Sequence, residues 1–248
     1  MGIANKPDRQ FLIERYQQLW DGTIDLVRQG EVKLDPLLAS RVPDQRHCLT
    51  VLIRPSTEIQ QSVVRFLNEL RRVDPGQYYY QPAELHVTVL SLFTATMEYE
   101  KHLIHYDRYL EAVNAALASA PSFSIDFTGI TLTRDAIMVQ GYFDDTILND
   151  TRETLRKELK SRELTEGLDG RYVLQTAHMT VVRFRQPLQN SQPYTEMLER
   201  YRNHSFGQTH VQELNLVRND WYMSTQSVEI LKRYQLSSNS TPHVSPPF

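Results

Sequence analysis

Two short motifs hold the residues whose types and spacing could do chemistry. His86-Val87-Thr88-Val89 lies in the run LHVTVLSLF, and His178-Met179-Thr180-Val181 lies in AHMTVVRF. Each reads His, apolar, Thr, apolar. Two imidazoles with ordinary pKa values near about 6.5 can hold opposite protonation states at neutral pH, so one takes a proton while the other gives one. Two threonine hydroxyls can donate hydrogen bonds to non-bridging phosphate oxygens, where charge must be stabilised. That is equipment for acid–base cleavage of a phosphodiester, and it requires no metal. One such histidine alone is more often a structural residue satisfied by a backbone carbonyl. Eight histidines in a chain of this composition would supply roughly 0.2 such motifs by chance, so the matched pair outweighs either member. His243-Val244-Ser245 is a near miss that runs into Pro246 and is set aside.

The elements that must position these residues follow from hydrophobic patterning. In a strand, residues i and i+2 project from one face, so each His shares a face with its Thr while the apolar pair faces a core. The two histidines lie 92 residues apart, which suggests two lobes, each lending one motif strand to a shared groove. The stripe Phe11, Leu12, Tyr16, Leu19, Trp20, Ile24 and Val27 predicts helix over the first 30 residues. A connection follows, then a strand over 47–55 and a helix capped by Ser56 that runs to about Arg72. The first motif sits in a predicted strand over 85–93, and helix is predicted from Glu98 to Ser119. Strands are expected over 123–133 and 136–143, helix over 144–164, and the second motif strand over 172–184. A short helix over 193–204 and strands over 210–220 and 227–236 complete the pattern. Strand and helix alternate irregularly, which is an α+β pattern rather than a doubly wound one.

Composition narrows the function. With 27 Lys or Arg against 30 Asp or Glu, the formal net charge is −3. That balance disfavours a general duplex DNA or RNA binder, which needs a basic face. There is no Gly-rich phosphate loop of the GxGxxG or GxxxxGK[ST] type. Cys48 is the only cysteine, so no disulfide or thiolate metal site forms within one chain. No HExxH occurs, and His102 and His105 lack an obvious third ligand. No stretch reaches the length of a membrane span, and Lys6 stands where a myristoylation motif needs Ser or Thr. A cytoplasmic monomer, with no cofactor, no metal and no membrane partner, is the expectation.

Two H-x-[ST]-x motifs on separate strands, one per lobe, resemble the signature of the 2H phosphoesterase superfamily. That superfamily includes bacterial 2′-5′ RNA ligase-like proteins and cyclic nucleotide phosphodiesterases. The resemblance runs from about residue 45 to 236. It implies a bilobal α+β fold of two pseudo-symmetric lobes, each an antiparallel sheet with flanking helices, around a central cleft. Residues 1–44 are then an N-terminal helix and connection outside the common core, and 237–248, rich in Ser and Pro, a mobile tail. The expected activity is metal-independent hydrolysis of 2′,3′-cyclic phosphates, with 2′-5′ RNA ligase activity as a second reaction of the same pair. His86 and His178 are the catalytic pair, and Thr88 and Thr180 bind phosphate; which histidine is base stays open. Substrates would be a small cyclic nucleotide or sugar phosphate, or one RNA terminus.

Secondary candidates for substrate contact are Arg183 and Tyr222. Arg183 follows His178 by five residues, a position often basic in the family's second motif. Strict alternation puts it on the opposite face unless the strand twists or bulges. Tyr222 could stack on a base, although core packing suits a Trp-Tyr pair better. At least one ring of Tyr78-Tyr79-Tyr80 should border the cleft. The rival to catalysis is a non-catalytic protein of the same fold that binds a nucleotide or RNA end.

Overall fold

The strands, in chain order, are β1 (His47–Ile53), β2 (Tyr78–Tyr79), β3 (Val87–Ser91), β4 (Phe123–Thr133), β5 (Ala136–Tyr142), β6 (Met179–Arg183), β7 (Ser205–Val211), β8 (Glu213–Asp220) and β9 (Glu229–Gln235). In the computed structural model, which describes residues 7–40 and 42–238, they form two sheets. The first has the order β3-β1-β8-β9 and the second β2-β6-β5-β4-β7. Every pairing is antiparallel. The first sheet takes β1 and β3 from the N-terminal part of the chain and β8 and β9 from the C-terminal part, while β2, between β1 and β3, already pairs with β6 in the second sheet. One motif strand lies in each sheet: β3 at the edge of the first and β6 inside the second. This is the expected two-lobed α+β architecture.

Eight helices among the described residues flank the sheets: α1 (Arg9–Asp21), α2 (Ile24–Arg28), α3 (Pro36–Ser40), α4 (Thr57–Val73), α5 (Tyr99–Leu103), α6 (Tyr106–Leu117), α7 (Ile147–Ser161) and α8 (Ser191–Tyr201). Ser56 caps α4 by accepting from the Ile59 amide, and Ile59, Val63, Phe66, Leu67 and Leu70 form its buried stripe. α6 packs on α7, and α4 packs on α8 and β7.

Several boundaries differ from the sequence reading. The first helix breaks at Gly22-Thr23 into α1 and α2, with Gly22 as the C-cap of α1, its amide donating to Gln18 O. α1 does not stand apart. Its Leu12, Tyr16 and Trp20 enter the main core, and the Tyr16 hydroxyl donates to Gly141 O at 3.1 Å in β5. The connection contains α3, and the helix predicted over 98–119 breaks near His105 into α5 and α6. The motif strands are shorter than expected, and each histidine immediately precedes its strand. A strand also begins earlier than predicted, at Ser205, and Gln212 separates β7 from β8. Ser237 is tied by backbone hydrogen bonds to Ala120 and Ser122; the expected tail from 239 onward lies outside the described residues. No helix among the described residues is long and apolar enough to cross a membrane.

Candidate active site

The two motifs share a backbone irregularity. β1 pairs Val51 with Leu90 and Leu52 with Thr88, which leaves Val89 as an extra residue in β3. β5 pairs Ile137 with Val182 and Met138 with Thr180, which leaves Val181 as the extra residue in β6. Each bulge falls directly after the motif threonine. An extra residue reverses the alternation of faces beyond it. Ser91 and Arg183, each five residues after its histidine, therefore turn to the same side as that histidine. The bulge that strict alternation lacked is present, and Arg183 lines one cleft with His178 and Thr180.

That cleft, about 170 Å³, receives His86 and Thr88 from one lobe and His178, Thr180 and Arg183 from the other. The four motif residues thus meet at one place. His86 Nδ1 lies 2.7 Å from Glu84 O. A carbonyl only accepts, so Nδ1 carries the proton and neutral His86 presents its Nε2 lone pair. Glu84 closes a 3₁₀ turn over Pro82–Glu84, and its carboxylate accepts from the Gln81 amide at 2.8 Å, which holds the turn that aims the ring. His178 Nδ1 lies 2.7 Å from Thr176 Oγ1. A hydroxyl can donate or accept, so this ring is not restricted to one tautomer.

Burial pushes the pKa of both imidazoles down to about 4. For His86 the Glu84 hydrogen bond works the other way, while Arg54 and Arg183 add to the depression. For His178 the further causes are Arg152, His86 and Arg183. Both rings are neutral in the free protein at pH 7, and a charge on His86 would work against one on His178. An arriving phosphate anion opposes these effects and raises both values.

Arg152 was not apparent from the motifs. It projects from α7 into the core and is only 1% exposed. Its Nε donates to Val89 O at 2.9 Å, and its Nη2 donates to Thr88 O at 3.0 Å and Thr176 O at 2.8 Å. One guanidinium thereby holds the first motif's bulge and the approach to the second motif. Burial, and then Arg156, push its pKa down to about 9, so it stays charged at neutral pH. Nη1 is buried without a hydrogen-bond partner. A sequence signal did exist: Arg152 sits on the buried stripe of Leu148, Leu155 and Leu159, where a charge needs partners.

Three aromatic positions resolve differently. Tyr80 is the ring of the tyrosine run on the cleft wall, and its hydroxyl accepts from Arg183 Nε at 3.2 Å. Tyr222 is not brought to the cleft. It is buried, and its hydroxyl donates to Asp35 Oδ1 at 2.6 Å. Its neighbour Trp221 lines the cleft instead, with the Arg171, Arg46 and Arg183 guanidinium carbons 4.4, 5.1 and 5.5 Å from its ring. Among the described residues no group of three or more His, Cys, Asp or Glu side chains gathers to hold a metal ion. His102 is instead buried and stacked on Phe93 at 4.1 Å.

Comparison with known proteins gives the family and the fold. The family described as the AKAP7 2′5′ RNA ligase-like domain matches residues 49–236. No curated protein sequence matches the chain. Among solved structures, TT0787 of Thermus thermophilus is similar with a TM-score of 0.57 and 18% identity, over 77% of this chain and 99% of that one. A conserved protein of unknown function from Agrobacterium tumefaciens, ATU0111, gives a TM-score of 0.56 and 14% identity, over 86% and 98%. Escherichia coli LigT complexed with 3′-AMP gives 0.48 and 16%, over 77% and 99%.

Proposed function

The chain belongs to the AKAP7 2′5′ RNA ligase-like domain family of the 2H phosphoesterase superfamily, and on that premise we propose that it hydrolyses 2′,3′-cyclic phosphates by metal-independent two-histidine catalysis. The observation that carries this reading is the asymmetry of the two rings on one cleft. His86 is held with its Nε2 lone pair free, which suits the general base. His178 can be polarised by Thr176 and carry its proton on Nε2, which suits the general acid.

The step balances with these groups alone. His86 Nε2 takes a proton from water as the water oxygen bonds to phosphorus. The bond from phosphorus to one ribose oxygen breaks, and His178 gives that oxygen its proton. Thr88, Thr180 and Arg183 hold the non-bridging oxygens, where charge accumulates. The acid is charged by binding itself, because the substrate anion raises the depressed histidine pKa values. With an RNA 5′-hydroxyl in place of water, His86 takes its proton as that oxygen bonds to phosphorus, the bond from phosphorus to the ribose 3′ oxygen breaks and His178 protonates it, which leaves a 2′-5′ linkage. Trp221 supplies a ring for stacking a base. The substrate class is a small cyclic nucleotide or sugar phosphate, or an RNA terminus, met by a monomer in the cytoplasm.

The test is turnover of adenosine 2′,3′-cyclic phosphate in EDTA. Wild type retains activity, and His86→Ala and His178→Ala each lose about 10²-fold or more. Tight binding without turnover by wild type would favour the non-catalytic reading of the fold, and wild-type turnover by either variant would sink the mechanism.

A further inference from the structure

A second cavity of about 610 Å³ adjoins the cleft. Phe11, Arg15 and Leu19 of α1 line it together with Met138 of β5 and the segment Arg171–Val173. It shares Arg171, Tyr172, Thr176, His178, Thr180 and Arg183 with the cleft, whereas His86 and Thr88 line the cleft alone. The His178 wall is therefore a common boundary, and a molecule whose phosphate lies between the two histidines can continue past it along α1. The α1 part of the lining is supplied by residues before 49, outside the span that matches the family.

The lining has a definite chemistry. Arg15 and Arg171 are exposed, and among the described residues neither belongs to an ion pair. The one carboxylate on the wall, Asp135, is already engaged by Thr133 Oγ1 at 2.6 Å and Arg183 Nη1 at 3.5 Å. Tyr172 and Val173 are each 56% exposed, so a flat ring and an apolar side chain face the groove without being covered. Arg171 lies against the Trp221 ring, so Arg15 is the free cation of this lining among the described residues; a guanidinium of this kind beside an exposed ring is what a nucleotide engages, with phosphate on the cation and the base on the ring. The cleft alone falls below the roughly 300–1,000 Å³ usual for a pocket that encloses a ligand, while the groove lies within that range.

We propose that this groove is a subsite for a second nucleotide unit, whose own phosphate is bound by Arg15 of α1, so that the preferred substrate is an oligonucleotide end rather than a mononucleotide. The inference rests on the cleft being the site of phosphate chemistry, and it names the substrate class for that site. The experiment separates the two. With the full chain, one titrates adenosine 2′-phosphate and the dinucleotide ApA bearing a terminal 2′-phosphate, and separately measures kcat/KM for the two corresponding 2′,3′-cyclic phosphates. Wild type binds the two-unit probe about tenfold more tightly. Arg15→Ala removes that advantage, and Arg15→Lys restores part of it, since the charge returns without the planar fork. Equal binding of the one- and two-unit probes by wild type, or an undiminished advantage in Arg15→Ala, overturns the subsite. If the Arg15-dependent advantage in binding is present while neither cyclic phosphate turns over, the subsite stands and the hydrolytic reading fails.

Discussion

Arg152 donates from Nε to the carbonyl of Val89 at 2.9 Å, and Val89 is the extra residue that bends the first motif strand. A bulged residue leaves the ladder with a backbone group to satisfy, and here a buried guanidinium from α7 satisfies it. The same side chain holds Thr176 O, two residues ahead of His178. The relative placement of the two histidines thus depends on one residue that faces the core.

Replacing Arg152 separates positioning from stability. Arg152→Lys keeps a charge but cannot span three carbonyls, so kcat on a cyclic phosphate should fall about tenfold or more while the fold survives. Arg152→Ala leaves those carbonyls without their donor and opens a cavity, at a cost of about 3 kcal/mol or more in urea unfolding. A lysine variant with unchanged kcat would remove Arg152 from the positioning role.

The acid and base assignments divide by leaving group. A substrate that expels 4-nitrophenolate needs little protonation of the departing oxygen. His178→Ala should recover much of its lost rate on such a phosphodiester, while His86→Ala should not. Recovery by His86→Ala instead would exchange the two roles.

Both histidines titrate in the folded protein near pH 4, against about 6.5 when unfolded. Between these values the unfolded chain binds more protons, so stability rises with pH across that window. The contribution is complete above pH 6.5 and is lost as pH falls through 4, by up to about 3 kcal/mol per ring. Thermal melts from pH 7 to 4 should show this slope, flattened in the His86→Ala/His178→Ala double variant. At pH 7, phosphate binding should take up protons, which calorimetry in buffers of different ionisation heat detects.

Gly141 lies directly against the segment that leads into the second motif. A Cβ at this position would collide with Ala177 O, the carbonyl just before His178. Gly141→Ala must push that segment away, so activity should fall well before the fold is lost. The check is kcat against urea midpoint in the same variant.

Much of the site was legible because its signals are local. The His-x-Thr-x spacing places His and Thr on one face by the strand period alone, and the 92-residue separation pointed to two lobes. The burial patterns of Val87–Ser91 and Met179–Arg183 are identical along their lengths, as the matched motifs imply. The helix break at Gly22 and the division of α5 from α6 were blurred, because an apolar stripe can continue across a turn when both pieces pack on one core. Tyr222 and Trp221 are adjacent and both aromatic, and composition could not tell which one the backbone turns toward the cleft.

The sequence by itself determined the chemistry: which four side chains can exchange protons and hold phosphate, and that two strands 92 residues apart carry them. Tertiary structure alone decided the geometry. Where a strand takes up an extra residue depends on its partner's register, so neither the bulges at Val89 and Val181 nor Arg183's place beside His178 can be read from one strand. The partners of Arg152 lie 63, 64 and 24 residues away in the chain, and only the closed core brings them to one guanidinium. Equally, α1 becomes a wall of the groove only because Tyr16 and its neighbours dock on β4 and β5, a contact between segments more than a hundred residues apart that no local periodicity encodes.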